Sequence, residues 1–326
     1  MMKVQARRHW MRLLGVALLL FLLSQVNLAE VAQLWLAARL DLLAGAIALN
    51  LPQIGLKAYR WQRLLRAQQV HYPFTQAALS YFGSIFVGLL TPGRVGEFVK
   101  AFHVSRDCRL SLAQGLSSVL IDRLFDLYAL FVVGGAALLA LAPGGLGIVT
   151  LGALALLLVV PLMLFVNAAM FAWVCKIGAK LGRWGEKVFS SQGWLWEVHT
   201  GIRQLPLREA LTAGFITLVA YGIFFSQCYL LAMALDVRAG FGTISFAVAL
   251  GSLVTLLPIS ISGLGTREAA IIAYLGQAGI SDEAAVSFSL LVFTTFYVAG
   301  ELLGALAWWI KPAPFKREDI TAEKSA

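Results

Sequence analysis

Long apolar runs separated by short basic stretches dominate this chain. A membrane-spanning helix needs about 20 predominantly apolar residues. Runs of that kind predict six full spans, at roughly 10–29, 40–58, 113–141, 146–174, 210–235 and 284–310. Lys3, Arg7, Arg8 and Arg12 precede the first run, and no small-residue cleavage site ends it, so it reads as an uncleaved span. Asn50 and Pro52 predict a bend in the second. Two stretches break the pattern. Residues 74–106 hold two apolar arms around TPGRVGE, and residues 241–277 hold two around LPISISGLGTRE. An arm of about 15 residues reaches roughly 22 Å, short of a hydrocarbon core of about 30 Å. Each stretch is therefore expected to form a re-entrant helical pair. The basic, tryptophan-containing segment 176–206 predicts an interfacial cytoplasmic helix on anionic lipid.

Composition sharpens this picture. The 326 residues are 60% hydrophobic and 13% charged, with a mean hydropathy of +0.80. Soluble domains carry about 25% charged residues. A soluble enzyme, a disulfide-rich secreted domain and a disordered chain are disfavoured, and an all-α polytopic membrane protein is expected. The net charge of +9 is a matter of placement and does not call for nucleic acid. With the N-terminus inside, 21 of the 26 Lys and Arg residues fall on inner edges. Only Arg39 and Arg238 fall outside, and Arg94, Arg123 and Arg267 lie at membrane depth. That bias predicts two cytoplasmic termini.

The two broken segments look related. GLLTPGRVGEFVKAF and LLPISISGLGTREAAI each pass through leucines and a proline into glycines, then an arginine and a glutamate. Interrupted segments in corresponding positions point to a transporter's substrate site. The chain is thus expected to be one transmembrane domain, 1–326, with halves 1–141 and 146–310 suggesting an inverted-topology repeat.

Charge at bilayer depth costs about 2.5–3.5 kcal/mol per group or more, so it implies pairing or a hydrated cavity. The candidates are Arg94, Glu97 and Lys100; Asp122, Arg123 and Asp126; Arg267 and Glu268; and Glu301. Arg94–Glu97 and Arg123–Asp126 share a three-residue spacing that puts each pair on one helix face. Gly93, Gly96, Gly263 and Gly265 allow turns and close approaches, and Pro92 and Pro258 free backbone groups from the helix ladder. Half-helix N-termini and arginines together suit a phosphate or carboxylate. The same ionic groups would also serve as a static lock between broken helices. Glu301 is expected to pair with an arginine from another helix, and Asn50 to satisfy the bend at Pro52.

Cys108, Cys175 and Cys228 are far apart, and His9, His71, His103 and His199 make no ligand spacing, so neither disulfide nor metal is expected. No Walker sequence, GxSxG or dinucleotide fingerprint occurs. No cofactor is expected.

The blocks TPGRVGEFVK (91–100), DRLFD (122–126) and LPISISGLGTRE (257–268) resemble the lysylphosphatidylglycerol synthase transmembrane-region family of flippase-like membrane proteins. The likeness runs from about residue 10 to 310. The family's first block falls on Pro92, Gly93, Gly96, Glu97 and Lys100, with Arg94 inside it. Its arginine–aspartate pair falls on Arg123 and Asp126, and Asp122 stands where many relatives have glutamate. The second block falls on Pro258, Ser260, Gly263, Gly265, Arg267 and Glu268. The resemblance implies a bacterial inner-membrane protein that moves a polar or anionic lipid. Fused relatives add a soluble aminoacyl-transferase domain, and none follows the last predicted span here, so synthesis of a charged lipid is not expected of this chain. Two other readings fit the residues: an enzyme acting on a lipid phosphate, and an accessory partner of a lipid-synthesising enzyme.

Overall fold

The computed structural model describes residues 18–91, 94–141, 152, 156, 167–180, 194–255 and 263–312. Among them the regular structure is all helical, with no strand. Three helices are long and apolar enough to cross a membrane: Leu112–Ala140, Leu207–Ala234 and Asp282–Ile310. They match three of the six expected spans. A bent pair raises the count to four at most.

The first departure has a local cause. Helix α1 (Leu18–Ser24) turns by 90° into α2 (Leu28–Leu36). Asn27 begins α2 by accepting a hydrogen bond from Ala29 N at 3.0 Å. That side-chain cap satisfies a donor that a continuous helix would satisfy itself. The expected straight span 10–29 is therefore broken within the described residues.

The second expected span, 40–58, is also two helices. These are α3 (Leu40–Ala48) and α4 (Asn50–Ala67). Pro52 sits in the first turn of α4, where its missing N–H breaks no ladder bond. Asn50 Nδ2 reaches across to the Thr295 carbonyl at 3.1 Å rather than serving the bend at Pro52. The fourth expected span lies mostly outside the described residues, as do Pro92, Gly93, Pro258 and Ser260. Of the 176–206 stretch, only its two ends are described. The end of α8 (Ala168–Ala179) and α9 (Trp194–Arg203) belong to them.

The first broken segment consists of α5 (Phe74–Leu89), a 3-10 turn (Val95–Phe98) and α6 (Val99–Asp107). The arms touch closely at the break. A Cβ on Gly96 would overlap the Val87 carbonyl, and one on Gly88 would sit 2.5 Å from Glu97 Cγ. The far ends also meet, because Tyr72 Oη donates to Asp107 Oδ2 at 2.7 Å. The chain therefore leaves this segment beside the point where it entered. Helix α7 (Leu112–Leu141) follows.

The second broken segment consists of α11 (Phe241–Val254) and α12 (Thr266–Gln277), after α10 (Leu207–Ala234). Helices α11 and α12 pack on one another through Gly251, which lies against Ile271 and Arg267. A cluster around Leu231, Ile244, Ile271, Phe288 and Leu291 joins them to α10 and to α13 (Asp282–Phe293). A second cluster, around Trp61, Leu65, Tyr81 and Val104, joins α4 to the first broken segment. Six residues of π-helix, Thr294–Ala299, connect α13 to α14 (Gly300–Ile310). Helix α14 returns to lie on α5, with Gly304 close to the Phe82 carbonyl.

Candidate functional site

The two broken segments meet around a cavity of about 170 Å³. Arg94 and Glu97 come from the first break, and Thr255 and Arg267 from the second. Helix α4 adds Gln53 and Lys57, α7 adds Arg123 and Asp126, and α10 adds Tyr221. Apolar walls come from Ile54, Leu130, Phe224 and Val248, and from Val292 and Phe296 flanking the start of the π-helical turn. The space has room for several waters.

Local backbone geometry sets the first break. Arg94 has φ 56°, the left-handed region that non-glycine residues seldom enter. That turn lets its Nε return to Glu97 Oε1 at 2.8 Å. Glu97 also pairs with Arg123 of α7. Arg94 Nη2 lies 3.6 Å from Glu301 Oε1 on α14. Arg123 has a looser contact to Asp126 at 3.8 Å. The expected i,i+3 pairs are both present, and Glu301 does meet an arginine from another element.

Behind the cavity wall lies a buried ionic network that reaches the cavity at Lys57 and Asp126. Arg60 Nε donates to Asp122 Oδ1 at 2.9 Å, and Nη1 donates to Asp126 Oδ1 at 3.0 Å and Thr217 Oγ1 at 2.8 Å. Lys100 Nζ holds the other Asp122 oxygen at 2.7 Å and lies 3.8 Å from the Tyr81 ring centroid. Lys57 bridges to Asp126 at 3.3 Å with its ammonium over the Tyr221 ring. Such pairing is what makes buried charge tolerable. Asp122 and Lys100 thus face each other and do not line the cavity.

The second break is built around its own pair. Arg267 pairs with Glu268, and Glu268 Oε2 accepts from the Gly265 N–H at 2.5 Å. Gly263 and Gly265 have φ of 77° and 81°, so the turn needs residues without a Cβ. Gly96 N–H likewise donates to Thr91 Oγ1 at 2.7 Å. Backbone donors expected to greet an anion are therefore engaged at Gly96 and Gly265.

Among the described residues, the cavity lining includes the cations Lys57, Arg94, Arg123 and Arg267 against the carboxylates Glu97 and Asp126. Adding the groups behind it brings Arg60 and Lys100 against Asp122, Glu268 and Glu301. The whole set carries one positive charge in excess when all are ionised. Of the expected site residues, Arg94, Glu97, Arg123, Asp126 and Arg267 line the cavity, while Lys100, Asp122, Glu268 and Glu301 stand behind it. Lys57 and Arg60 were expected at a cytoplasmic edge and are instead drawn inside. Their signal was Asp122 and Asp126, four apart on one helix and requiring cations.

The model for the lysylphosphatidylglycerol synthase TM region matches residues 10–304. The chain belongs to this family. It is an integral membrane protein linked to lipid handling. No curated protein matches the sequence. The two broken segments converge on one cavity, since Arg94 and Glu97 of the first face the same space as Arg267 of the second.

Proposed function

We propose that this family member is a lipid translocase that moves a lipid with an anionic headgroup across a bacterial cytoplasmic membrane. The observation that carries this reading is the excess of cations on a cavity shared by both broken segments. Arginine matches phosphate oxygens with two parallel hydrogen bonds. Arg94, Arg123 and Arg267 would take the phosphate, while the apolar walls meet the glycerol and the start of the chains. The close helical pairs give each half a body that can rock against the other around the bound headgroup. The positive-inside bias supports two cytoplasmic termini.

Reconstituted vesicles with fluorescent headgroup lipids test the reading. Anionic lipid should cross faster with wild-type protein than with Arg94→Gln or Arg267→Gln, at unchanged lipid mass. A new lipid mass would replace translocation with enzymatic action on the lipid phosphate. No movement and no new product would leave the accessory role beside a synthesising enzyme.

A further inference from the structure

Glu301 stands apart from the other carboxylates of the site. It is 3% exposed, and among the described residues neither carboxylate oxygen has a hydrogen-bond partner. Asp122 and Asp126 each accept from Arg60, and Glu268 accepts from Gly265 N–H. A buried carboxylate without hydrogen bonds is expensive as an anion and far cheaper with a proton. Among the described residues, Glu301 has one charged neighbour within ion-pair range, Arg94 at 3.6 Å.

Among the described residues, the surroundings add little else that titrates. Beyond Arg94 lies Glu97, which pairs with Arg94 itself and with Arg123. Helix α5, on which α14 packs, has Tyr81 as its one titratable residue, and that ring faces Lys100. On the neighbouring α6, His103 lies beside Trp308, two turns along α14. Lys311 follows the end of α14 and joins Tyr72, Gln76 and Asp107. Asn50 of α4 approaches Gly300 and donates to Thr295 without reaching Glu301.

We infer that Glu301 is a proton-binding site that competes with the anionic headgroup for Arg94. Ionised Glu301 draws the Arg94 guanidinium toward α14. A proton taken from solvent onto a Glu301 oxygen ends that attraction and leaves Arg94 to Glu97 and the cavity. Proton and headgroup then favour each other's binding, and the coupling is reciprocal by linkage. No bond other than the carboxyl O–H forms or breaks. The inference rests on the anionic-lipid reading and names how the site would be coupled to a proton gradient.

Short-chain phosphatidylglycerol binding to the full protein in nanodiscs tests it, with phosphatidylcholine as the neutral control. Wild-type affinity should fall with rising pH, approaching tenfold per pH unit above the titration of one site. Glu301→Gln should bind tightly and lose that pH dependence. Arg94→Gln should bind weakly and also lose it, which keeps a test available if Glu301→Gln does not fold. Infrared difference spectra should show a protonated carboxyl band on lipid binding that Arg94→Gln weakens. A flat wild-type profile, or a wild-type slope kept in either variant, overturns the inference while leaving the anionic-lipid reading intact. No phosphatidylglycerol binding by wild type at any pH overturns that reading, and the inference with it.

Discussion

Arg60 holds Asp122 by both its carboxylate and its backbone carbonyl, at 2.9 and 3.1 Å. The contact joins α4 to α7 behind the cavity, and Arg60 also spans to Asp126 and Thr217. All of these groups are buried. Removing one partner should therefore hurt more than removing the pair. Arg60→Met should cost about 3–5 kcal/mol, because it strands buried carboxylates. The double variant Arg60→Met, Asp122→Leu should recover part of that loss. Thermal unfolding in detergent measures both, and equal losses in the two would refute a paired network.

Three glycines should respond differently to alanine. Gly96→Ala pushes a methyl into the Val87 carbonyl, which is backbone and cannot swing away. A loss of about 1–3 kcal/mol or more is expected from overpacking. Gly88→Ala meets the Glu97 side chain instead, so folding should survive while Glu97 is displaced from Arg94 and Arg123. Anionic-lipid binding is the readout for that variant. Gly45→Ala has open space within 4 Å on a helix and should gain up to about 1 kcal/mol.

Neutralising the cavity arginines should lower affinity for anionic lipid specifically. Each of Arg94→Gln, Arg123→Gln and Arg267→Gln should cost about 1.5–3 kcal/mol, the range for a hydrogen bond to a charged group. Binding of a zwitterionic lipid should change much less. An equal loss for both lipids would mean that the arginines only hold the fold.

The contact at the far ends of the first broken segment carries a pH signature. Partial burial pushes the Asp107 carboxyl up, but the Lys311 and Tyr72 hydrogen bonds outweigh it and hold the group below its ordinary value. A lowered folded value stabilises above the unfolded value of about 3.9, and this is lost as pH falls through the folded one. Asp107→Asn should flatten that acid-side loss in thermal unfolding. An unchanged acid limb would place the sensitive group elsewhere.

The same contact bears on topology. Cysteines introduced at Val70 and Arg109 should react with an impermeant reagent from one side of the membrane. Labelling of the two from opposite sides would contradict a re-entrant first segment.

Hydropathy alone placed the three long helices well, since α7, α10 and the helix ending at Ile310 are continuous apolar runs. The break at Leu49 was signalled by Asn50 and Pro52 and not by hydropathy, because the apolar pattern continues there although the helix does not. Hydropathy ended the first span at about residue 29 and missed the helix Leu28–Leu36 that the Asn27 cap begins. The ionic residues of both breaks were visible as costly charge in apolar sequence. Lys57 and Arg60 were hidden by their neighbours. They stand in a series with Arg63 and Arg66, which pair at the surface with Glu209 or stay exposed. Four cations at three-residue spacing look like one basic edge, yet successive steps rotate around the helix and only part of the series turns inward.

The single positive charge left over in the ionic set around the cavity bears on how an electric field acts on it. A monovalent headgroup brings one negative charge, and the proton that Glu301 takes with it brings one positive charge. The set then has the same net charge empty and loaded. Moving one charge through 100 mV is worth about 2.3 kcal/mol, and that work cancels between the outward and return steps. Voltage would leave the direction of such a cycle alone, and the pH difference would set it. A headgroup with two negative charges breaks the balance and would feel the field.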